Sequence, residues 1–534
     1  MVKSAAKTTR DEKILWTWVA IGSAAIVAAV VFGANRLPAS ALGNWVACAH
    51  HPDMERARPA CAALLDSPSA LPEAWLEAPL RRDAAMAYAA EEYDRVIASI
   101  GRLEAIGRTN QLDLNDLGLA HYLKGQYAPA KDYFRKAIAA GPPDAVIQGN
   151  LGSTLKALGE YDAALDAFRQ AVAIAPGSAA ANYDLAYAYF DLQRHDEALA
   201  AFNKTLSIDA TRLGARIDLG WTLVYLSRPE DAIAEFKRYM TDGGEAAYGY
   251  EGLAQAYSDL SNWNESLAAA DRAIAGNATL PWPHYFRASA LWSLGRLDEA
   301  HRSYSDFLAL RPDDIDGLAE RGQVLWDLNR ETEAYADLDR AVSLYPDDLR
   351  SHLARGRVNS WGDLHEATIV DLSRVIALDA SHVEALALRG FAYLQSGRIA
   401  EGLADCKKSR SLDEGYARAL RCIGLAQHLS GDRAAAMASF DAAIAAEPSH
   451  GGGYYWRALL KSDMGDSAGA LADLDAALEN STHFADAMLA RAQLLERLGR
   501  TAEAATGYRA ALQSVPLRRR AEIESRLAAL SGNQ

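Results

Sequence analysis

A small residue recurs every 34 positions along most of this chain, without one insertion: Gly118, Gly152, Ala186, Gly220, Ala254, Ala288, Gly322, Gly356, Gly390, Gly424, Ala458 and Ala492. Twelve consecutive hits in register call for structural units of one size laid end to end. Other residues keep step with this mark. Seven positions later stands a turn glycine in many units, as Gly125, Gly159, Gly295, Gly397, Gly431, Gly465 and Gly499. That residue type suits a helix end that needs a left-handed conformation. Alanine follows five positions on, as Ala130, Ala164, Ala198 and Ala232, and four further comes a large apolar residue, as Phe134, Phe168, Phe202, Phe236 and Tyr304. Many units then close on a second alanine and a proline, such as Pro142, Pro176, Pro312 and Pro448, which stops a helix.

This order of small residue, turn glycine, Ala, Phe/Tyr, Ala and Pro over 34 residues resembles the tetratricopeptide repeat, and in particular bacterial, membrane-anchored members of that family. The resemblance implies an all-α fold: a right-handed α-solenoid of about twelve helical hairpins across residues 111–518, with a concave groove. A single hairpin cannot bury its apolar stripe alone, so neighbours must cover one another and the ends need caps. Residues 519–534 read as a C-terminal capping helix, with Ile523, Leu527 and Leu530 on one face. At the other end Tyr93 falls in phase for a degenerate thirteenth hairpin across residues 78–110. We number the repeats 1 to 12 by the marks Gly118 to Ala492.

Before the repeats one stretch, Ile14 to Ala34, lacks any charged residue and is long enough to cross a bilayer as a helix. Lys3, Lys7, Arg10 and Lys13 precede it, which places the tail 1–13 in the cytoplasm and exports everything downstream into a periplasmic or other extracytoplasmic space. The run exceeds a usual signal-peptide core, so residues 14–34 are read as an uncleaved transmembrane helix. Residues 35–77 then form an exported linker, in which Cys48 and Cys61 are disulfide candidates. His50 and His51 lie between them, but the spacing fits no zinc pattern, and no metal or other cofactor is expected. Cys406 and Cys422 read as buried apolar residues.

The position before the mark is leucine in repeats 1 to 5 and arginine in most later ones. This slot points inward, where an arginine needs a partner. Sixteen residues on, four repeats supply aspartate: Asp337 for Arg321, Asp371 for Arg355, Asp405 for Arg389 and Asp473 for Arg457. These pairs are expected to form structural ion pairs between the two helices of a hairpin. Arg287 and Arg491 face Ser303 and Gly507 and have no such partner.

The face of the first helices opposite the mark, which in the family lines the groove, gathers aromatics: Tyr183, Tyr187, Phe190, Trp221, Tyr225, Tyr248, Trp282, Tyr285, Trp292, Trp326, Trp361 and Tyr455. Such residues give a large contact area at low entropic cost, so they are the candidate ligand-binding set. A net charge of −15 with no Lys/Arg run excludes a nucleic-acid partner, and the acidic residues read as solvated helix faces. The expected function is that of a membrane-tethered protein-interaction scaffold with a protein or peptide in its groove. Glycan binding for polysaccharide export is the alternative, and a regulatory part of a larger enzyme assembly a further one. The repeats leave no room for a catalytic core of the chain's own, and no phosphate loop, nucleophile elbow or zinc-protease motif is present.

Overall fold

The computed structural model describes residues 39–51, 53–66, 72–481, 484–512 and 517–532. The tail 1–13 and the expected membrane helix 14–34 lie outside them. Among the described residues every element is helical, and no helix is long and apolar enough to cross a membrane. The chain divides into two compact units, residues 1–245 and 246–534.

In the first unit the segment expected as a linker is folded. Ala39–His50 and Met54–Leu65 form a helical hairpin, and a Cys48–Cys61 disulfide joins its two arms. Both sulfurs sit in a core with Leu64, Leu80, Val96, Ile100 and Leu103, and Trp45 donates from its indole to the carbonyl of Trp75 at 2.6 Å. This hairpin therefore covers the open apolar side of the next pair, Glu77–Ala89 and Tyr93–Ala105, where the thirteenth hairpin was expected. Its composition hid it: Pro59 sits inside the second helix, and neither helix keeps the phase of the repeats. Four helix pairs follow, from Gln111–Leu123 with Tyr127–Ala140 to Leu213–Tyr225 with Pro229–Thr241.

The second unit holds eight further pairs, from Ala246–Asp259 with Trp263–Gly276 to Ala485–Arg497 with Thr501–Ala511. A last helix, Leu517–Gly532, starts two residues before its expected boundary and lays Ile523, Leu527 and Leu530 over Leu489 and Tyr508. In both units first helices of most successive pairs touch one another directly, whereas second helices pack mainly on first helices. First helices therefore line the inner side of each unit.

The mark is small because the large apolar residue of the second helix packs onto it. A β-carbon at Gly118, Gly152, Gly220 or Gly424 would meet the ring of Phe134, Phe168, Phe236 or Phe440 at 2.5–2.8 Å. Repeat 3 has Ala186 there with Phe202 still fully buried, so one methyl is accommodated. A branched side chain is not. Gly220→Val is expected to destabilise the first unit by about 1–3 kcal/mol, as overpacking does, and a lowered urea midpoint would register it.

The turn after each first helix needs a left-handed residue, and glycine supplies it at Gly125, Gly159, Gly295, Gly397, Gly431, Gly465 and Gly499. Where glycine is missing, Gln193, Ser227, Ser261, Asn329 and Asp363 take the same conformation at φ of 55–58°. The geometry is thus imposed by packing of the hairpins and not by the turn residue.

Cys406 and Cys422 are fully buried, as expected of apolar residues, but they are also bonded to each other, which the sequence reading did not foresee. They link the second helix of repeat 9 to the first helix of repeat 10.

Candidate functional site

The inward arginines come first, because they set the face that remains. Arg321 grips Asp337 with Nε and Nη2 at 2.7 and 2.8 Å. Arg355 holds Asp371 at 2.9 and 2.7 Å, Arg389 holds Asp405 at 2.7 and 3.0 Å, and Arg457 holds Asp473 at 2.9 and 2.7 Å. Each carboxylate is thus met side-on by a planar fork, the strongest form of this pair. In Arg355 and Arg457 these bonds raise the guanidinium further above its ordinary value.

The arginines also reach backwards. The remaining nitrogen Nη1 of Arg321, Arg355, Arg389 and Arg457 donates to Ser305, Asp339, Ser373 and Asp441, each sixteen residues earlier on the second helix of the preceding repeat. This resolves the two arginines that sequence reading left without a partner. Arg287 Nε donates to Asp271 at 2.7 Å, and Arg491 Nε to Asp475 at 2.6 Å, both in the same backward slot. Every inward arginine therefore ties two successive hairpins together, so these residues are structural.

With the mark side filled, the opposite side of the first helices is left for binding. In the first unit Tyr187 and Tyr225 are exposed, and Tyr183, Phe190 and Trp221 half-buried. Phe190 and His195 pack on Tyr225 with centroids 5.5 and 5.0 Å away, and Trp221 stands edge-on to the core ring Phe236. In the second unit Tyr248 and Trp361 are exposed. Trp282 and Tyr285 lie half-buried against Phe307, and Tyr455 against Phe484 and Trp456. Trp292 donates to Asp327 at 2.8 Å, and Trp326 packs on Tyr335. Eight of the twelve candidates thus share their surface with hairpin packing, and four present it to solvent.

Carboxylates on the same face, which sequence reading assigned to solvated surfaces, are partly withdrawn from water. Burial pushes Asp184 and Asp218 up from the usual carboxylate range in the first unit, and Asp316 in the second. It carries Glu251 and Glu320 to about 7. The signal was present in the period: Asp184, Asp218 and Glu320 all stand two residues before the mark.

In the first unit these acids and rings already hold cations. Lys156 Nζ lies 3.0 Å from Asp191 and 4.5 Å from the centroid of the Tyr187 ring. The Arg212 guanidinium lies 4.5 Å from the Tyr183 ring, whose hydroxyl donates to Asp218 at 2.7 Å. Ring face plus carboxylate is the combination that favours an ammonium or guanidinium.

Two tetratricopeptide-repeat profiles match the chain, one at residues 150–212, 217–281, 285–348 and 455–518, the other at 114–140. The chain belongs to the tetratricopeptide-repeat family. A crystal structure of the APC/C hetero-tetramer Cut9–Hcn1 is similar over 85% of this chain and 96% of the matched one, at 15% identity and a TM-score of 0.49. One of yeast Tom70 is similar over 79% and 96%, at 15% identity and 0.39. No curated protein matches the sequence.

Proposed function

We propose that this protein is a membrane-tethered interaction scaffold, which holds an extended segment of a partner protein against the first-helix face of its repeats. The observation that carries the reading is the exposed rings, Tyr187 and Tyr225 in the first unit and Tyr248 and Trp361 in the second, on the first-helix face of each. Partly desolvated acids beside them favour a polypeptide over a glycan, since a peptide supplies both backbone donors and cationic side chains. The uncharged stretch Ile14 to Ala34 supports a single-pass anchor, with the repeats in a periplasm-like space. Membership of the repeat family supports binding without a reaction of its own.

The test is cross-linking in cells followed by identification of the attached proteins. A Tyr187→Ser, Tyr225→Ser, Trp361→Ser variant with an unchanged helical circular-dichroism spectrum is expected to lose the partners that the unaltered chain captures. The same partners at the same yield would refute the groove reading. Release of the protein from membranes by alkaline carbonate would refute the anchor.

A further inference from the structure

The first helix of repeat 7, Ile315–Asp327, carries Asp316, Glu320 and Asp327 at spacings of four and seven, which is one stripe of a helix. Its two ends are engaged. Asp316 accepts from Arg350 Nη1 at 2.8 Å, and Asp327 from the Trp292 indole at 2.8 Å. Glu320, between them, accepts no hydrogen bond from any described residue and forms no ion pair with one; its electrostatic neighbours are Arg357 and Asp316. Arg357 is itself taken by Glu384, at 3.0 and 2.6 Å, and Glu384 also draws Arg418 at 3.7 Å. The phenols of Tyr285 and Tyr304 lie close enough to feel the Glu320 charge, and neither bonds it.

A carboxylate held beside aromatic rings, whose neighbouring cation is already bonded to another carboxylate, costs stability. Repeat 5 does the same with Glu251, which is 8% exposed and whose only influence is its own desolvation. Keeping such groups is explained when a ligand completes them. The first unit shows what completes this arrangement, since Lys156 sits between Asp191 and the Tyr187 ring, and Arg212 over the Tyr183 ring that bonds Asp218. Tyr285 and Glu320 occupy the same two slots, in repeats 6 and 7, as Tyr183 and Asp218 in repeats 3 and 4, and among the described residues the one cation that acts on the Tyr285 ring, Arg350, is already bonded to Asp316.

We propose that Glu320, beside the Tyr285 ring, receives the ammonium or guanidinium of a lysine or arginine side chain on an extended segment of a partner protein. This rests on the groove reading and gives the partner its chemistry. A cleft of about 550 Å³ lined by Trp282, Arg311, Asp316, Tyr345 and Arg350 opens one helical turn from Glu320 and has room for the stem of such a side chain.

The test is fluorescence anisotropy on the full chain with three labelled Gly/Ser dodecapeptides, carrying three lysines, three glutamines or three glutamates. The lysine peptide is expected to bind best, and Glu320→Gln to weaken it roughly tenfold, as loss of a charge partner in a half-buried site does. Glu414→Gln, at an exposed site, is expected to leave its affinity unchanged. Equal affinity of the lysine peptide for the unaltered chain and Glu320→Gln would overturn the inference, and so would an equal loss with Glu414→Gln, which would mean that net charge alone is sensed. Equal binding of all three peptides, still sensitive to Trp361→Ser, would remove the cation site and leave the groove. Binding of none would remove both. Glu320→Gln keeps the shape of the side chain and removes a charge that burial disfavours, so loss of fold does not confound the result.

Discussion

Asp371→Ala is expected to lower the stability of the second unit by about 3–5 kcal/mol, the range for stranding a buried charge. Asp371 is 2% exposed and accepts four bonds: two from Arg355, one from the His352 ring at 3.0 Å and one from Asn359 at 3.0 Å. Removing it empties the Arg355 fork, leaving only the Nη1 bond to Asp339, and strips the His352 and Asn359 donors of this acceptor. Trp282, Trp292, Trp326, Trp361 and Trp456 all lie in this unit, so tryptophan fluorescence in urea reports its unfolding. The contrast is Arg321→Leu with Asp337→Leu. That pair is simpler, and replacing both partners by apolar residues is expected to shift stability by less than about 1–2 kcal/mol. A silent Asp371→Ala would show that water, and not the protein, satisfies the arginine.

The second large effect concerns pH. Burial carries the Glu251 carboxyl to about 7 in the folded chain, against 4.5 for the free side chain. The folded state therefore holds this proton more tightly than the unfolded one. The contribution is fully present below pH 4.5 and is lost as pH rises through 7. Glu251→Gln should accordingly match the unaltered protein near pH 4 and exceed it at pH 8 by about 2 kcal/mol, after allowance for residual solvent screening. Urea midpoints at the two pH values decide the matter. Equal midpoints at pH 8 would mean that Glu251 finds a partner or water that the packing does not reveal. Glu320→Gln is expected to move in the same direction, since Glu320 also lies near 7.

The fold was legible because one number, 34, encodes it. Each hairpin repeats the same contact between a small mark and a large apolar residue, so a single comparison of the chain with itself places every helix from Gln111 to Ala511. The hairpin at Ala39–His50 and Met54–Leu65 escaped that comparison, because it is held by a disulfide and by tryptophan packing and not by the mark. The arginine ladder was half legible. Looking forward sixteen residues found Asp337 and Asp371, but Asp271 and Asp475 lie sixteen residues back, across the repeat boundary, where a reading confined to one hairpin does not look. The Cys406–Cys422 link escaped for the same reason, since it joins two different repeats. At the candidate site the rings were legible as a face, and the acids were not. A charged residue on a helix reads as solvated unless the next helix is known to cover it, and that cover is a property of neighbours.

The two-way reach of the inward arginines bears on how such a chain can change its length. Because forward and backward acceptors both stand sixteen residues from each guanidinium, excising any 34 consecutive residues between Arg321 and Arg389 gives the joined ends the same pairing that they had before. Tandem duplication or loss of one unit in this stretch would give every inward arginine an acceptor on both sides, whereas a gain or loss of any other size would strand a guanidinium at the seam. The ladder thus acts as a ruler that admits growth only in whole steps.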